Sequence, residues 1–290
     1  MIIDGKNLAE KIRDEVKVKI AKLSFQPGLA VIRIGDNWES KLYIEQKQKA
    51  CNEVGVRFVL YQLPESVAQN TVITLIEKLN IDSGVHGIIV QLPINQSLNL
   101  LAIQQTITPW KDVDGFNPIN RGMLFNIDRV FPLEVMLPCT PQACIKLLQS
   151  IDYDLKGKKV VIVGRSNIVG KPLFHLCLQQ NATVTLCHSN TRDLEKETTT
   201  ADVLIVAVGH PQLIQAKHVK NGAVVIDVGI NRVFTEENKS YRIAGDVDFE
   251  NIKDQCSYIT PVPGGVGPMT VAMLMQNILQ AANLSQNINI

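Results

Sequence analysis

Residues 159 to 170 decide the fold of this chain, and they read Lys159-Val-Val-Ile-Val-Gly164-Arg165-Ser166-Asn167-Ile168-Val169-Gly170. An apolar run of strand length, a glycine turn and a helix start follow one another in this stretch. Backbone N–H groups at the start of such a helix favour a pyrophosphate group. The spacing departs from the usual GxGxxG pattern, because Ser166 stands at the second glycine position. The pattern alone is weak, since glycine turns after strands are common.

Further strands follow this turn and strengthen its interpretation. Apolar runs of strand length occupy residues 182–187, 203–208 and 223–228, and the last two end at Gly209 and Gly229. Strands separated by helical segments are typical of βαβ units with a parallel sheet. The sequence therefore predicts a Rossmann-like, NAD(P)-binding domain in the C-terminal half of the chain.

The N-terminal half alternates between strand and helix in the same way. The predicted strands lie at 29–34, 56–61 and 85–90, and the predicted helices at 8–23, 40–54 and 67–79. An alternation of this kind again indicates a parallel sheet covered by helices. We therefore predict an α/β fold with two domains, an N-terminal α/β catalytic domain and a C-terminal Rossmann-like domain, with the ligand cleft between them.

The predicted domains are residues 1–138 and 139–271, and a C-terminal helix at 272–290 is expected to pack back on the first. A linking helix is predicted at 141–149, with Thr140 as its N-cap, and apolar residues at helical spacing predict a final helix at 269–282. Residues 260–270 hold three prolines and three glycines, which restrict φ and permit close backbone approach. We expect them to form a loop that lines the cleft, with a plain hairpin as the alternative.

Composition excludes several classes of protein. The chain has 290 residues, and 29 basic against 28 acidic side chains leave a formal charge of +1. That balance lacks the electropositive field of a nucleic-acid-binding protein. No apolar run approaches the ~18–20 residues that span a bilayer, and the N-terminus carries an acid where a signal peptide is apolar. We expect a cytoplasmic protein without nucleic-acid or membrane partners.

The six cysteines form no CxxC pair, and no histidine stands at metal-ligand spacing from them. Isolated cysteines in a long intracellular chain usually act as small buried apolar residues. We therefore predict buried thiols, with neither a disulfide scaffold nor a metal site.

The second strand of the Rossmann-like unit indicates the cofactor. NAD-binding units place an acid about 20 residues after the first glycine, where it binds the ribose hydroxyl. Here residues 188–192 contain no acid, while Arg165, Ser166 and Ser189 could hold a 2′-phosphate. The pattern favours NADP over NAD, and the alternative is that Arg165 is a solvated loop residue.

One face of the predicted helix at 40–54 carries Ser40, Tyr43 and Lys47 at helical spacing. The tyrosine offers a flat ring to a planar substrate, and partial burial against that ring would make the lysine a usable acid or base. The alternative is an ordinary solvated pair on a helix surface.

Gln91 follows the strand at 85–90, and ligands of open parallel sheets bind beyond the carboxyl ends of strands. Its neutral amide could hydrogen-bond Lys47 without fixing the charge of the amine, or it could simply cap the strand end.

Residues 111–118 hold Asp112 and Asp114 beside a glycine turn. One buried carboxylate would suit a guanidine-like edge with two N–H donors, such as that of a pterin. Asp–Gly turns are also common for structural reasons alone.

Six segments in order along the chain carry a more specific signal. They are Tyr43-(x3)-Lys47-(x)-Lys49-Ala50, Val90-Gln91-Leu92-Pro93, Asp112-Val113-Asp114-Gly115, Pro138-Cys139-Thr140-Pro141, Gly164-Arg165-Ser166-(x2)-Val169-Gly170 and residues 261–270. Together they resemble the bifunctional methylenetetrahydrofolate dehydrogenase/methenyltetrahydrofolate cyclohydrolase family.

The resemblance implies a role for each matching residue. It implies a catalytic group in which Lys47 transfers protons, Gln91 is its partner, Tyr43 stacks on the substrate and Asp114, rather than Asp112, binds the pterin. It implies that folate also contacts Pro263 and Gly264. It further implies an NADP site formed by Gly164, Arg165, Ser166, Ser189 and Ile230.

The resemblance implies oxidation of methylenetetrahydrofolate with NADP⁺ and hydrolysis of methenyltetrahydrofolate to formyltetrahydrofolate, in a cytoplasmic homodimer of one-carbon metabolism that serves purine, methionine and histidine biosynthesis. Two alternatives stay open. One is another two-domain dehydrogenase of the shikimate type, and the other is a folate- or NADP-binding module without activity.

Overall fold

A computed structural model describes residues 1–126, 135–235 and 240–287 of the chain. Its contacts divide the chain into two units. The 10–139 unit comprises Glu10–Cys139 and Val271–Ile290, and the 140–270 unit comprises Met1–Ala9 and Thr140–Thr270. The predicted domain boundaries near residues 138 and 271 stay a prediction.

The 10–139 unit is built around a three-stranded parallel sheet. Its elements in chain order are α1 (Gly5–Ile20, which begins in the other unit), β1 (Gly28–Ile34), α2 (Trp38–Val54), β2 (Arg57–Leu63), α3 (Gln69–Ile81), β3 (Gly87–Val90), α4 (Leu100–Thr106) and α5 (Pro118–Asn126). The strand order is β2-β1-β3, with Leu29 of β1 opposite Phe58 and Gly87. The central strand β1 is buried along its whole length because both of its neighbours and the helices cover it.

Apolar side chains of the sheet and two helices form the core of this unit. Ala30, Ile32 and Ile34 of β1 cluster with Ile76 of α3 and Ile103 of α4. Burial of such side chains stabilises a fold by about 1.5–3 kcal/mol each. Because β1 and β3 are parallel, the segments that follow them begin at the same carboxyl end of the sheet.

The 140–270 unit contains a five-stranded parallel sheet and one hairpin. Its elements are α6 (Cys139–Gln149), β4 (Lys159–Val163), α7 (Gly170–Gln179), β5 (Thr183–Cys187), α8 (Leu194–Thr198), β6 (Val203–Val206), β7 (Val224–Asp227), β8 (Asn231–Thr235), β9 (Ser240–Ala244), α9 (Phe249–Ile252), β10 (Tyr258–Ile259) and α10 (Val266–Asn287, which ends in the other unit). The strand order is β10-β7-β6-β4-β5, and β8 pairs with β9 in antiparallel fashion. Such a parallel sheet with crossover helices is the predicted Rossmann-like arrangement.

Two predicted helix starts are wrong. The linking helix begins at Cys139, so Thr140 lies inside it and is not its N-cap. The final helix begins at Val266, so only the first part of the proline- and glycine-rich segment 260–270 is a loop. Pro268 is compatible with the helix because backbone N–H groups in the first turn have no intrahelical acceptor.

All six cysteines are buried and unpaired, as predicted. Within the described ranges, no helix is both long enough and apolar enough to cross a membrane.

Candidate active site

Lys47 and Gln91 come together at the carboxyl end of the three-stranded sheet. Lys47 lies within α2, and Gln91 follows directly after β3. The Lys47 Nζ donates a hydrogen bond to Gln91 Oε1 over 3.0 Å. The Gln91 Nε2 donates to the Leu92 carbonyl over 2.9 Å, which turns the amide oxygen toward the amine. The contact expected between these two side chains is therefore present in the fold.

Polar contacts hold the start of α2 in place. Asn37 caps the helix by accepting a hydrogen bond from the Ser40 N–H over 3.1 Å. The Ser40 hydroxyl donates to the Leu92 carbonyl over 3.3 Å, so the segment after β3 is tied to α2 at two points. Tyr43 lies one turn before Lys47 with 38% of its surface exposed, so its ring is accessible to a planar ligand.

Asp112 is a structural acid of this unit. It is 2% exposed, and its oxygens accept hydrogen bonds from the N–H groups of Phe116 and Asn117 and from the Asn120 amide. Burial raises the pKa of Asp112 to about 6, against the lowering effect of those hydrogen bonds. Because its acceptor positions are used by the loop, it is poorly suited to bind a ligand.

Asp114 differs from its neighbour because it is only half-buried. Both acids line one small cavity with Val90, Gln104 and Phe116, so the two differ in burial and in hydrogen bonding and not in access to this cavity. The turn that presents Asp114 requires a glycine, since Gly115 has a φ of +70° and a Cβ there would meet the backbone of Leu137 and Pro138. Between the two acids, Asp114 has the surroundings of a ligand-binding carboxylate.

A buried thiol lies close to both Lys47 and Asp114. Burial raises the pKa of the Cys139 thiol well above its usual value, the Asp114 carboxylate raises it further, and the Lys47 ammonium opposes them. The thiol donates to the Val113 carbonyl over 3.3 Å. Cys139 therefore stays protonated and is not a nucleophile, while its surroundings show that the amine and the carboxylate belong to one region.

Asn277 of α10 was not predicted as part of this region. Its side chain is 2% exposed and its Nδ2 donates to the carbonyls of Val113 and Leu137, over 2.8 and 2.9 Å. In the sequence it is one of several amides of the final helix, beside Gln276 and Gln280, so nothing marks it as special. Its partners lie far away in the chain, so the sequence does not reveal them.

The turn after β4 in the 140–270 unit has the build of a phosphate-binding turn. Gly164 has a φ of +124°, and a Cβ on Gly170 would collide with the Gly164 carbonyl oxygen. The Ser166 hydroxyl accepts a hydrogen bond from the Val169 N–H over 3.1 Å at the start of α7. Arg165 and Ser166 are exposed. The glycines thus allow a close turn, and the two polar side chains stand at its surface.

Ser189 lies at the same edge of this sheet. Val163 at the end of β4 pairs with Cys187 at the end of β5, so the segments after these strands are neighbours. The first acid beyond β5 is Asp193, whose side chain accepts from the Lys196 N–H as the cap of α8. Because the Asp193 carboxylate caps α8, it is engaged within the protein and is not offered to a ribose hydroxyl. This agrees with a site for a phosphate group.

Two buried acids organise the ends of β6 and β7. The Asp246 carboxylate accepts from the N–H groups of residues 208, 209 and 210 and from the Asn231 amide. Asp227 accepts from the N–H groups of Gly229 and Asp246, and burial raises its pKa to about 7. These contacts fix both sides of Ile230, which is 44% exposed. Neither acid was predicted from the sequence.

The remaining predicted residues also lie in the 140–270 unit. Pro263 and Gly264 follow β10, and Gly264 has a φ of +111°. Thr260 anchors this segment by accepting from the Asp227 N–H over 2.8 Å. The predicted residues thus fall into two groups, with Tyr43, Lys47, Gln91 and Asp114 in one unit and the others in the second.

Comparison with known proteins gives a matching family for each half of the chain. The sequence model for the tetrahydrofolate dehydrogenase/cyclohydrolase catalytic domain matches residues 3–114, and that for the NAD(P)-binding domain of the same family matches residues 138–286. The chain belongs to this family. It is a bifunctional enzyme of folate one-carbon metabolism, an oxidoreductase and a hydrolase, with a catalytic and an NAD(P)-binding domain, as the resemblance implied.

Curated relatives in the family match over nearly the whole chain. The bifunctional protein FolD of Geotalea daltonii is 49% identical over 284 residues, which cover 97% of this chain and 98% of the relative. That of Halalkalibacterium halodurans is 49% identical over 285 residues with the same coverage.

Solved structures of the family match the fold as well. The bifunctional FolD enzyme of Campylobacter jejuni is 46% identical and has a TM-score of 0.92, with 98% of this chain and 99% of that chain covered. FolD of Trypanosoma brucei, solved with NADP cofactor and inhibitor, is 35% identical with a TM-score of 0.94 over 99% of each chain.

The shikimate-type alternative shares the fold alone. Shikimate dehydrogenase of Aquifex aeolicus is 10% identical and has a TM-score of 0.52. The matches at 49% identity to bifunctional proteins favour the two folate activities over this alternative and over a module without activity.

Proposed function

We propose that this enzyme oxidises methylenetetrahydrofolate with NADP⁺ and then hydrolyses the methenyl product to formyltetrahydrofolate, with Lys47 as the proton-transferring residue. The observation that carries the assignment is the 3.0 Å hydrogen bond between Lys47 Nζ and Gln91 Oε1. An amide oxygen accepts a hydrogen bond from either an ammonium or an amine. Lys47 can therefore keep its orientation while it gains or loses a proton.

The oxidation step places few demands on acid–base groups. NADP⁺, when bound, supplies the hydride acceptor, so the protein contributes mainly orientation. On the folate side we assign the stacking surface to Tyr43 and the pterin contact to Asp114, with Pro263 and Gly264 as further contacts. The half-buried carboxylate of Asp114, presented by the turn at Gly115, supports this assignment.

The hydrolysis step requires proton transfer. The oxygen of a water molecule bonds to the methenyl carbon, and a proton of that water passes to the amine of Lys47. One carbon–nitrogen bond of the ring then breaks while the added hydroxyl loses its proton and becomes the formyl carbonyl, and Lys47 returns a proton to the departing nitrogen. The products are formyltetrahydrofolate and the one proton that balances the loss of the cationic charge.

The turn after β4 fits the cofactor. We assign the phosphate contacts of NADP to Arg165, Ser166 and Ser189 on the close turn at Gly164, and a backbone contact with the nicotinamide end to Ile230. The cap formed by Ser166 and the use of Asp193 within α8 support the assignment.

Replacement of Lys47 tests the proposed chemistry. We expect Lys47→Met to lose cyclohydrolase activity by a factor of at least ~100, the range of general acid–base catalysis, because no side chain then transfers the proton. Folate binding should stay measurable, and the decay of methenyl absorbance measures the rate. Lys49→Met changes an exposed lysine of the same helix and is the matched control. Full hydrolysis by Lys47→Met would overturn the assignment.

We further propose that the enzyme is a cytoplasmic homodimer whose products serve purine, methionine and histidine biosynthesis, as the family resemblance implies. The strand β2 lies at an edge of its sheet, and Leu60 on it is 43% exposed. An exposed apolar side chain on an edge strand supports a second copy of the chain at this edge. Light scattering on the purified chain measures the oligomeric state, and a monomer at micromolar concentration would contradict the dimer.

A further inference from the structure

Asn277 is an unusual residue for its position in α10. Its neighbours Met273, Leu274, Met275 and Ile278 are buried and apolar, and Asn277 itself is 2% exposed. A buried amide costs stability unless its donors are paired. The Asn277 Nδ2 donates to two backbone carbonyls, those of Val113 and Leu137, and also contacts the Cys139 sulfur over 3.5 Å.

The two carbonyls lie on either side of the turn that presents Asp114. Val113 O belongs to the peptide group that links Val113 to Asp114, so its hydrogen bond of 2.8 Å orients that peptide plane. Leu137 is the residue against which Gly115 packs. The amide of Asn277 therefore joins the turn to the segment behind it.

We propose that Asn277 is a positioning residue that sets the Asp114 carboxylate for the nitrogen-rich ring of the folate substrate. The proposal rests on the proposed role of Asp114 as the pterin-binding acid. It makes the C-terminal helix a contributor to substrate recognition, acting through the Val113–Asp114 peptide and not through direct contact with the ligand.

A control residue lies on the same helix. The Gln280 Nε2 donates to the Val135 carbonyl over 3.1 Å, so it also attaches α10 to a backbone carbonyl, and that carbonyl is not in the Asp114 turn. If the side-chain amides of α10 served only to attach the helix, replacing Asn277 and replacing Gln280 would change the substrate affinity equally.

The test compares Asn277→Asp with Gln280→Glu, since each replaces an amide by a carboxylate of nearly the same shape. For Asn277→Asp we expect the KM for methylenetetrahydrofolate to rise about tenfold. The variant loses the hydrogen bonds to the Val113 and Leu137 carbonyls, and even a small shift of the Asp114 carboxylate is costly at a site that depends on orientation. The kcat should change much less, and the KM for NADP⁺ should stay within about twofold of the wild-type value. For Gln280→Glu we expect both KM values to stay within about twofold.

A double-mutant cycle separates positioning from stability. In an Asp114→Asn background, Asn277→Asp should raise the folate KM no further, because the group through which it acts is already altered. Circular dichroism and thermal unfolding check that each variant is folded. If Asn277→Asp does not fold, Asn277→Ala removes the same two donors without adding a charge and carries the same expectations.

The outcomes are distinguishable. An equal rise in KM in both backgrounds, or an equal rise in Gln280→Glu, would overturn the positioning role. A raised KM in Asp114→Asn with an unchanged KM in the Asn277 variants would overturn this inference alone. An unchanged KM in Asp114→Asn would overturn the proposed role of Asp114, and the inference with it.

Discussion

At the residue scale, the site depends on which acids and amides already form hydrogen bonds with other groups of the chain. Gln91 faces the amine of Lys47 with a neutral oxygen, where a carboxylate would favour the ammonium form. Asp112 and Asp114 are two residues apart, yet the first is almost fully buried and accepts hydrogen bonds from residues 116, 117 and 120, whereas the second is only half-buried. Two acids so close in the chain thus have different surroundings, which is why we propose different functions for them.

These two acids should respond differently to truncation. We expect Asp114→Ala to weaken folate binding by about 1.5–3 kcal/mol, or roughly ten- to a hundredfold, because a hydrogen bond to a charged group is lost. Its thermal stability should change little. Titration calorimetry with a folate analogue measures the binding.

Asp112→Ala is the comparison variant. It leaves the N–H groups of Phe116 and Asn117 without their acceptor, so we expect a loss of stability of ~1–3 kcal/mol or more. An unchanged folate affinity in Asp114→Ala, together with a large loss of affinity in a folded Asp112→Ala, would reverse the assignment.

At the scale of elements, the turn between β4 and α7 shows how a short segment sets the distance between a strand end and a helix start. Its glycines at 164 and 170 bring the helix start against the strand end, since a Cβ at Gly170 would overlap the Gly164 carbonyl oxygen. The strand β4 lies where the sequence predicts it, because a run of four apolar residues ends at a glycine. The hairpin of β8 and β9 was not predicted, since its residues have no clear alternation.

Arg165 tests the cofactor preference of this turn. We expect Arg165→Ala to raise the KM for NADP⁺ by about tenfold or more and to leave that for NAD⁺ nearly unchanged, because a guanidinium contact with a 2′-phosphate is available only in NADP⁺. Reduction of each cofactor with methylenetetrahydrofolate measures both values.

Lys171→Ala is the control for general charge at the same turn. Lys171 is an exposed cation of α7 whose Nζ donates to the Asn167 side chain. An equal loss of affinity for both cofactors in Arg165→Ala would mean that the arginine does not bind the 2′-phosphate.

At the scale of the whole molecule, buried carboxylates connect segments that are remote in the chain. Asp227 accepts from residues 229, 246 and 247, and Asp246 accepts from residues 208–210. Together they hold the ends of β6 and β7 and the base of the hairpin formed by β8 and β9. The stability of this unit therefore depends on the protonation of a buried acid.

Asp227 predicts a dependence of stability on pH. Burial raises its pKa from 3.8 to about 7, so the folded chain binds the proton more tightly than the unfolded chain. Its contribution to the free energy of unfolding is present at pH values below 3.8 and is lost as the pH rises through about 7. We expect the free energy of unfolding to decline less over this pH interval in Asp227→Asn than in the wild type. Denaturant titration at several pH values measures it.

Asp152→Asn is the control for this measurement. Asp152 is an exposed acid of the same unit with a φ of 51°, a conformation that asparagine tolerates well. Its variant should keep the wild-type decline with pH. The same decline in Asp227→Asn as in the wild type would show that another group is responsible.

The sequence by itself determined the main alternation of strands and helices in both halves, the close glycine turn after β4 and the family. These features depend on local properties, namely the period of apolar residues and glycines at turns, and on motifs that are contiguous in the chain. Lys47, Gln91 and Asp114 could be named as candidates because each lies in such a motif. Helix starts at Cys139 and Val266 were missed, because capping and packing decide them.

Only the tertiary structure decided which polar groups meet. The hydrogen bond between Lys47 and Gln91 joins residues 44 positions apart, and that between Asn277 and Val113 joins residues 164 positions apart. Asn277, Asp227 and Asp246 have no local signature, because a buried polar side chain is paired with whichever backbone groups the fold brings to it. The physical reason is that burial and hydrogen bonding depend on distances in space, which the packing of sheets and helices sets after the local elements are formed.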